Sequence, residues 1–394
     1  MFKKFYRGNQ MKTVFKIFLG LVALVILWAT LSTVRTWPYV RAKVRFAQRD
    51  FPGALADTER VVAKFPDNAD FIVGLAQAKI GVKDYEGALT ATNTALEKIS
   101  KGARVSSETV AIAYLVRCQA TKELQYYPDV IENCTKLMEL VANPQKISFL
   151  PYMSRGLAFY NLGNYEKALA DYNQAIELEP DLAKLYNLRA IAKLALGKYE
   201  DAQQDFNRAI ELQPDELGYL GQGFLKEEQK NYKEAIEDYT NALKASAEMD
   251  SLTKSFVYNR RGWSKNLVKD YMGAVKDHNR AIELNPNNAD AYFGIASVCM
   301  KEKKYKAAVN YISRAIEIDP SSAKYSLSRG FSKSQLKDYK GAITDYTRAI
   351  ELDAAYPAGQ AQAYQYRAKA KKALGDIAGA TADEKKANQL ATQR

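Results

Sequence analysis

Few side chains in this sequence could carry out covalent chemistry. Among 394 residues there is one histidine, His278, and there are three cysteines, Cys118, Cys134 and Cys299. A single histidine leaves no room for a His-based triad or a multi-histidine metal site. The cysteines stand 16 and 165 residues apart, which matches neither a disulfide framework nor a zinc-ligand spacing. No Walker loop, GxSxG or HExxH occurs, and paired carboxylates are unspecific in a chain with 45 acids. The chain therefore reads as a non-enzyme with no cofactor, no metal and no evident small-molecule substrate.

Binding is the remaining kind of chemistry. With 57 Lys+Arg against 45 Asp+Glu, a net charge of +12 and 26 tyrosines, the composition suits nucleic acid or a membrane surface. Where the charge sits decides between them. The first fifty residues hold ten Lys+Arg and one acid, while the other 344 hold 47 and 44. The excess is thus concentrated around an uncharged run at residues 17–34, preceded by a basic tail at 1–16. Eighteen residues make a helix of roughly 27 Å, close to the hydrocarbon thickness of a bilayer. Trp28 and Trp37 fall near its far end, where indole rings favour the interface. A cleaved secretory signal is the alternative, but its apolar core is usually 7–15 residues long and small residues precede the cut. Here the run is longer and WATLSTVRT offers no such site, so an uncleaved transmembrane signal anchor is expected. Five basic residues precede the run and five follow it closely, so the positive-inside comparison is nearly balanced. The expected orientation has a cytoplasmic N-terminus and the large domain on the far, periplasmic or lumenal side; a cytoplasmic domain is the alternative.

From residue 35 onward the sequence repeats. An aromatic-x-x-Ala setting, followed by an amphipathic stretch, recurs at Ala54, Ala88, Val130, Ala168, Ala202, Ala235, Ala274, Ala308, Ala342 and Ala380. The separations are 34, 42, 38, 34, 33, 39, 34, 34 and 38 residues, a periodicity characteristic of helical solenoids. In LPYMSRGLAFYNLGNYEKALADYNQAIELEPD, Gly163-Asn164 breaks a first helix, Tyr165 opens a second, and Pro180 ends the unit.

This unit resembles the tetratricopeptide repeat (TPR), in which small residues at positions 8, 20 and 27 let paired helices approach closely; here they are Gly156, Ala168 and Ala175. The resemblance extends over ten units across residues 35–394. It implies an all-α fold, a right-handed α-solenoid of about ten helix pairs preceded by the single transmembrane helix. The unit around Val130 departs most, with Leu137 where the family has alanine.

The repeat also accounts for most tyrosines and many arginines. Eighteen of the 26 tyrosines recur at three fixed positions of the unit, including Tyr172, Tyr239 and Tyr346 four residues after their anchors. They read as packing residues, which removes the stacking platform that nucleic acid would need. Arg at position 7 accompanies Asp at position 23 in six units: Arg41/Asp57, Arg155/Asp171, Arg189/Asp205, Arg261/Asp277, Arg329/Asp345 and Arg367/Asp383. A seventh arginine, Arg117, faces Asn133; where the arginine is lost, at Leu75 and Ile295, the aspartate is lost too, and only Gln222 faces an aspartate, Asp238, without an arginine. An Arg–Asp bridge between the two helices of a unit is expected, one that sets register. His278 takes an aromatic core position, comparable to Tyr172, and reads as a buried imidazole. Cys118 and Cys134 fall at positions 8 and 24. Pairing position 8 with 20 places them a helical turn apart, about 6 Å along the axes on top of ~8 Å between them. That is beyond disulfide reach, so no bridge is expected.

In TPR proteins positions 2, 5, 9 and 12 of the first helices line a concave groove, and the resemblance implies a protein partner there. The corresponding candidates are Met153, Leu157, Tyr160, Asn187, Ile191, Leu220, Phe224, Asn259, Trp263, Phe293, Leu327 and Phe331, an apolar surface interrupted by amides and suited to a peptide segment. Packing between adjacent first helices is the competing role for each. The set of Lys, Asn and Arg that clamps chaperone C-termini in some family members is absent. The reading is a membrane-anchored scaffold, adaptor or assembly factor for a membrane-associated protein partner, contacting lipid through its anchor. A receptor for proteins in transit, or a regulatory subunit of a membrane enzyme complex, is the alternative.

Overall fold

A computed structural model describes residues 37–141, 148–245, 249–353 and 357–391. Among them are twenty helices and no strand. Unit one, which ends at Leu196, contains α1 (Trp37–Ala47), α2 (Phe51–Lys64), α3 (Ala69–Gly81), α4 (Tyr85–Ser100), α5 (Ser107–Glu123), α6 (Tyr127–Leu140), α7 (Phe149–Asn161), α8 (Tyr165–Leu178) and α9 (Ala183–Ala195). Unit two, which begins at Gly197, contains α10 (Tyr199–Leu212), α11 (Glu216–Glu228), α12 (Tyr232–Ala245), α13 (Ser251–Leu267), α14 (Tyr271–Leu284), α15 (Ala289–Lys301) and α16 (Tyr305–Ile318). It continues with α17 (Ala323–Gln335), α18 (Tyr339–Leu352), α19 (Pro357–Ala373) and α20 (Ile377–Ala391). Odd-numbered helices begin and even-numbered helices end the ten sequence repeats. Within each unit a helix packs on its chain neighbours. Successive first helices also touch, as α3 does α5 and α13 does α15, which is the contact pattern of a solenoid.

Local chemistry explains the breaks. Each first helix is followed by a residue in the left-handed region: Gly163, Gly197 and Gly375 in three pairs, but Lys, Arg or Gln at φ 60–68° in the other seven. The sequence advertises the turn only where glycine takes it; elsewhere tertiary packing imposes a conformation that costs roughly 1 kcal/mol. Asp50, Asp84, Asp270 and Asp338 then cap the second helices, each accepting the backbone N–H three residues on. All ten anchors are buried, none more than 3% exposed.

The register between paired helices follows one rule, residue i against i+16. Asp171 accepts from Arg155 Nε at 2.9 Å and Nη2 at 2.7 Å; Asp277, Asp345 and Asp383 accept likewise from Arg261, Arg329 and Arg367, and Asp57 from Arg41. These are the five expected bridges whose two helices lie within one unit. Two further partners escaped the sequence reading. A lysine or arginine four residues beyond the arginine reaches the same carboxylate, as Lys265, Lys333, Lys371 and Arg45 do at 2.8–3.2 Å. The arginine's Nη1 also donates to a side chain at position 25 of the preceding repeat: Thr135, Asn173, Thr240, Ser313 and Thr347 serve Arg155, Arg189, Arg261, Arg329 and Arg367. In these five repeats the arginine therefore ties its helix to the repeat before it.

Asp238 lacks this arginine. Gln222 stands in its place and donates to Asn207 of the preceding repeat at 2.6 Å. Burial pushes the Asp238 carboxyl up to about 6, only partly offset by Lys226. Its folded-state value exceeds the unfolded one, so the native state holds the proton more tightly and stability falls as pH rises from about 4 to about 6. Gln222→Arg is expected to raise stability at pH 7 by about 1 kcal/mol, after discounting for solvent screening, and to do nothing at pH 4. Urea denaturation at both values checks this; an equal gain at pH 4 would point away from the carboxylate.

The same i, i+16 register corrects the cysteine expectation. Position 24 lies on position 8, not opposite position 4: Tyr172 packs on Gly156, and His278 on Gly262. Cys134 accordingly lands on Cys118, with Cα atoms 5.3 Å apart, and the two form a disulfide. Cys299 is free and buried.

The basic tail at 1–16 and the expected transmembrane helix at 17–34 lie outside the described residues. Among the described residues no helix is long and apolar enough to cross a membrane.

Candidate functional site: a cleft on the first helices of unit two

The predicted groove residues separate into core and surface. In unit one, Met153 is buried against Ala175 and Leu185, and Asn187 is 3% exposed with neither amide atom hydrogen-bonded. Both side chains are buried by their neighbours. Leu157, Tyr160 and Ile191 are half-buried, and Tyr160 packs against the ring of Tyr165, 5.3 Å between centres. In unit two, Leu220 packs onto the cluster around Tyr239, and Leu327 onto those around Tyr346 and Ile350. Phe331 is wedged between Tyr305 and Tyr366 at 6.2 and 6.0 Å.

Three candidates converge. Asn259, Trp263 and Phe293 line one cleft of about 470 Å3, joined by Phe256, Arg260, Asn288, Asp290 and Lys324. Helices α13, α15 and α17 supply every lining residue but Asn288, the cap of α15. Asn259 and Phe293 are largely buried, at 5% and 7% exposed, so their role in the cleft is to form its floor. Trp263 stands edge-on to His278 and tilted against Phe293, with centres 5.6 and 5.8 Å away. Phe224 borders the site, 5.7 Å from Phe256 and with Arg260 over its face at 5.2 Å.

Buried polar groups hold this geometry. His278 is fully buried and burial lowers its pKa to about 4, so the ring is neutral at physiological pH. Its Nδ1 faces Asn259 Oδ1 at 2.9 Å; with the amide oxygen as acceptor the proton sits on Nδ1, leaving Nε2 unpartnered. Glu227 on α11 receives Arg260 and, at 2.6 Å, the Ser264 hydroxyl. Asp290 accepts from Lys324 at 3.0 Å and from Tyr325 at 2.8 Å. Burial opposes its ionisation, but these donors outweigh that and hold the carboxyl below its ordinary value.

Arg260, Asn288, Asp290 and Lys324 were missed by the sequence reading. Asp290 and Lys324 both occupy position 2 of their units, a groove position, and were legible there. Arg260 at position 6 had no signal in the repeat.

Models of the tetratricopeptide repeat match residues 45–107, 150–182, 183–216, 289–322 and 323–356, about half of the chain in all. Photosystem I assembly protein Ycf3 of Acaryochloris marina (strain MBIC 11017) is 39% identical over 66 residues, 16% of this chain and 39% of that protein; the chain thus spans about two-fifths of the length of this relative. The solved structure of pilF from Pseudomonas aeruginosa is 20% identical, with a TM-score of 0.50, covering 58% of this chain and 100% of that one, a likeness of fold. Repeat sequence, paired-helix architecture and family models agree, and the chain belongs to the tetratricopeptide repeat family of protein-interaction scaffolds.

Proposed function

We propose that the protein is a membrane-tethered assembly scaffold that holds a segment of a partner protein along the first helices of unit two. The observation that carries this reading is the cleft around Phe256, Trp263 and Phe293, where aromatic surface is presented next to polar groups that are themselves held in place. The assembly role draws on the likeness to Ycf3, whose name places it in assembly of photosystem I. Tethering draws on the uncharged run at 17–34 between basic flanks. Crosslinking in native membranes with mass spectrometry tests the site. Phe256→Ala/Trp263→Ala is expected to weaken capture of the principal partner about 30-fold or more while leaving the helical circular dichroism unchanged; a variant that keeps its partner overturns the assignment.

A lumenal or periplasmic location of the solenoid is supported by the Cys118–Cys134 bridge, since such bonds persist in oxidising compartments. Rapid alkylation of cells under denaturing conditions is expected to label one thiol of three before reduction and all three afterwards. Reduction of this 16-residue link is expected to destabilise unit one by about 3 kcal/mol. Three labelled thiols without reduction would place the solenoid on the reducing side.

A further inference from the structure

The donors and acceptors of the cleft are unevenly committed, and the imbalance says what it can hold. Each acid already meets a cation and a hydroxyl: Asp290 takes Lys324 and Tyr325, and Glu227 takes Arg260 and Ser264. Asn288 is occupied at both ends, its Nδ2 donating to Ser255 at 3.0 Å and its Oδ1 accepting from the Ala291 N–H at 3.1 Å. The uncommitted groups are donors. Lys324 has three N–H groups and one carboxylate partner, Arg260 presents Nη2 alone to Glu227, and Asn259, whose Oδ1 faces His278, keeps its amide hydrogens.

A cationic guest is disfavoured by the same geometry. The aromatic faces that would attract it already carry the protein's own cations: Lys324 Nζ is 4.8 Å from the Phe293 centroid and 5.0 Å from that of Tyr325, and Arg260 covers Phe224. Phe256 remains 43% exposed, offering apolar surface beside the donors. A volume of about 470 Å3 has room for a pair of side chains.

We infer that the cleft takes a partner segment in which a carboxylate side chain adjoins a large apolar one, the apolar group on Phe256 and Trp263 and the carboxylate toward Lys324, Arg260 and the Asn259 amide. This rests on the groove reading proposed above and specifies its ligand. Three fluorescein-labelled nonapeptides test it, made of Gly and Ser except for a central Phe-Glu, Phe-Gln or Phe-Lys pair. Each is titrated by anisotropy against the full chain in detergent micelles. The Phe-Glu peptide is expected to bind about tenfold or more tightly than Phe-Gln, with Phe-Lys weakest. Lys324→Gln, a change at a half-exposed side chain, is expected to remove most of that preference. Equal binding of all three peptides, abolished by Trp263→Ala, would overturn the carboxylate assignment and leave the groove standing. Tighter binding of Phe-Lys, or no binding of any peptide, would overturn the inference, and the membrane crosslinking above then decides separately whether the groove reading falls with it.

Discussion

Replacing Asp345 with alanine is expected to destabilise unit two by about 3–5 kcal/mol, the usual cost of stranding one side of a buried ion pair. The carboxylate is 3% exposed and meets Arg329 through two bonds at 3.0 and 2.7 Å and Lys333 at 2.9 Å. Without it, two mostly buried cations are left side by side, and Arg329 keeps only the Ser313 hydroxyl of the preceding repeat, at 3.2 Å. Arg329→Met should cost less, because Lys333 still serves Asp345. Replacing all three with apolar residues of similar volume should recover much of the loss, since desolvation offsets most of the attraction within such a cluster. Urea denaturation gives the total, and amide exchange in α16, α17 and α18 shows whether the damage reaches the preceding repeat. A loss confined to α17 and α18 would count against the position-25 link.

The second large effect is expected at Gly294. A Cβ there would stand 2.3 Å from His278 Cε1 and 2.4 Å from Nε2. The ring cannot yield: it is fully buried, rests on Gly262 from the other side, and is held by Asn259 and Trp263. Gly294→Ala is therefore expected to cost about 3 kcal/mol, the upper end of ordinary overpacking. His278→Ala alone should cost a similar amount by leaving a cavity. The double variant should cost about 2 kcal/mol less than the sum, because each change relieves the other. Strict additivity in thermal and urea unfolding would show that the ring is not what excludes a side chain at 294. Because His278 and Trp263 support the cleft floor, Gly294→Ala is also expected to weaken partner capture.

Much of the architecture was readable before any coordinates. Ten small or apolar anchors predicted ten second helices, and the coupled loss of Arg and Asp at Leu75/Ala91 and Ile295/Tyr311 predicted the bridges. At Gln222 and Asp238, where the aspartate stands without its arginine, burial raises the carboxyl. The cysteine expectation failed on helix register. Cys118 and Cys134 were judged too far apart, although Arg155 and Asp171 carry the same 16-residue offset that joins them.

Periodicity, composition and covariation within the chain thus determined the fold class, the helix pairs and the identity of the buried bridges, because those follow from local helix geometry and from the needs of one repeated contact. Which cysteines bond, which groove positions stay open, and how Arg260 and Lys324 come to face one cleft from α13 and α17 were decided only in three dimensions. Those outcomes depend on the angle and offset at which one helix lies on the next. The side chains at each crossing set these, here an imidazole between two glycines, and a repeat pattern averages such differences away.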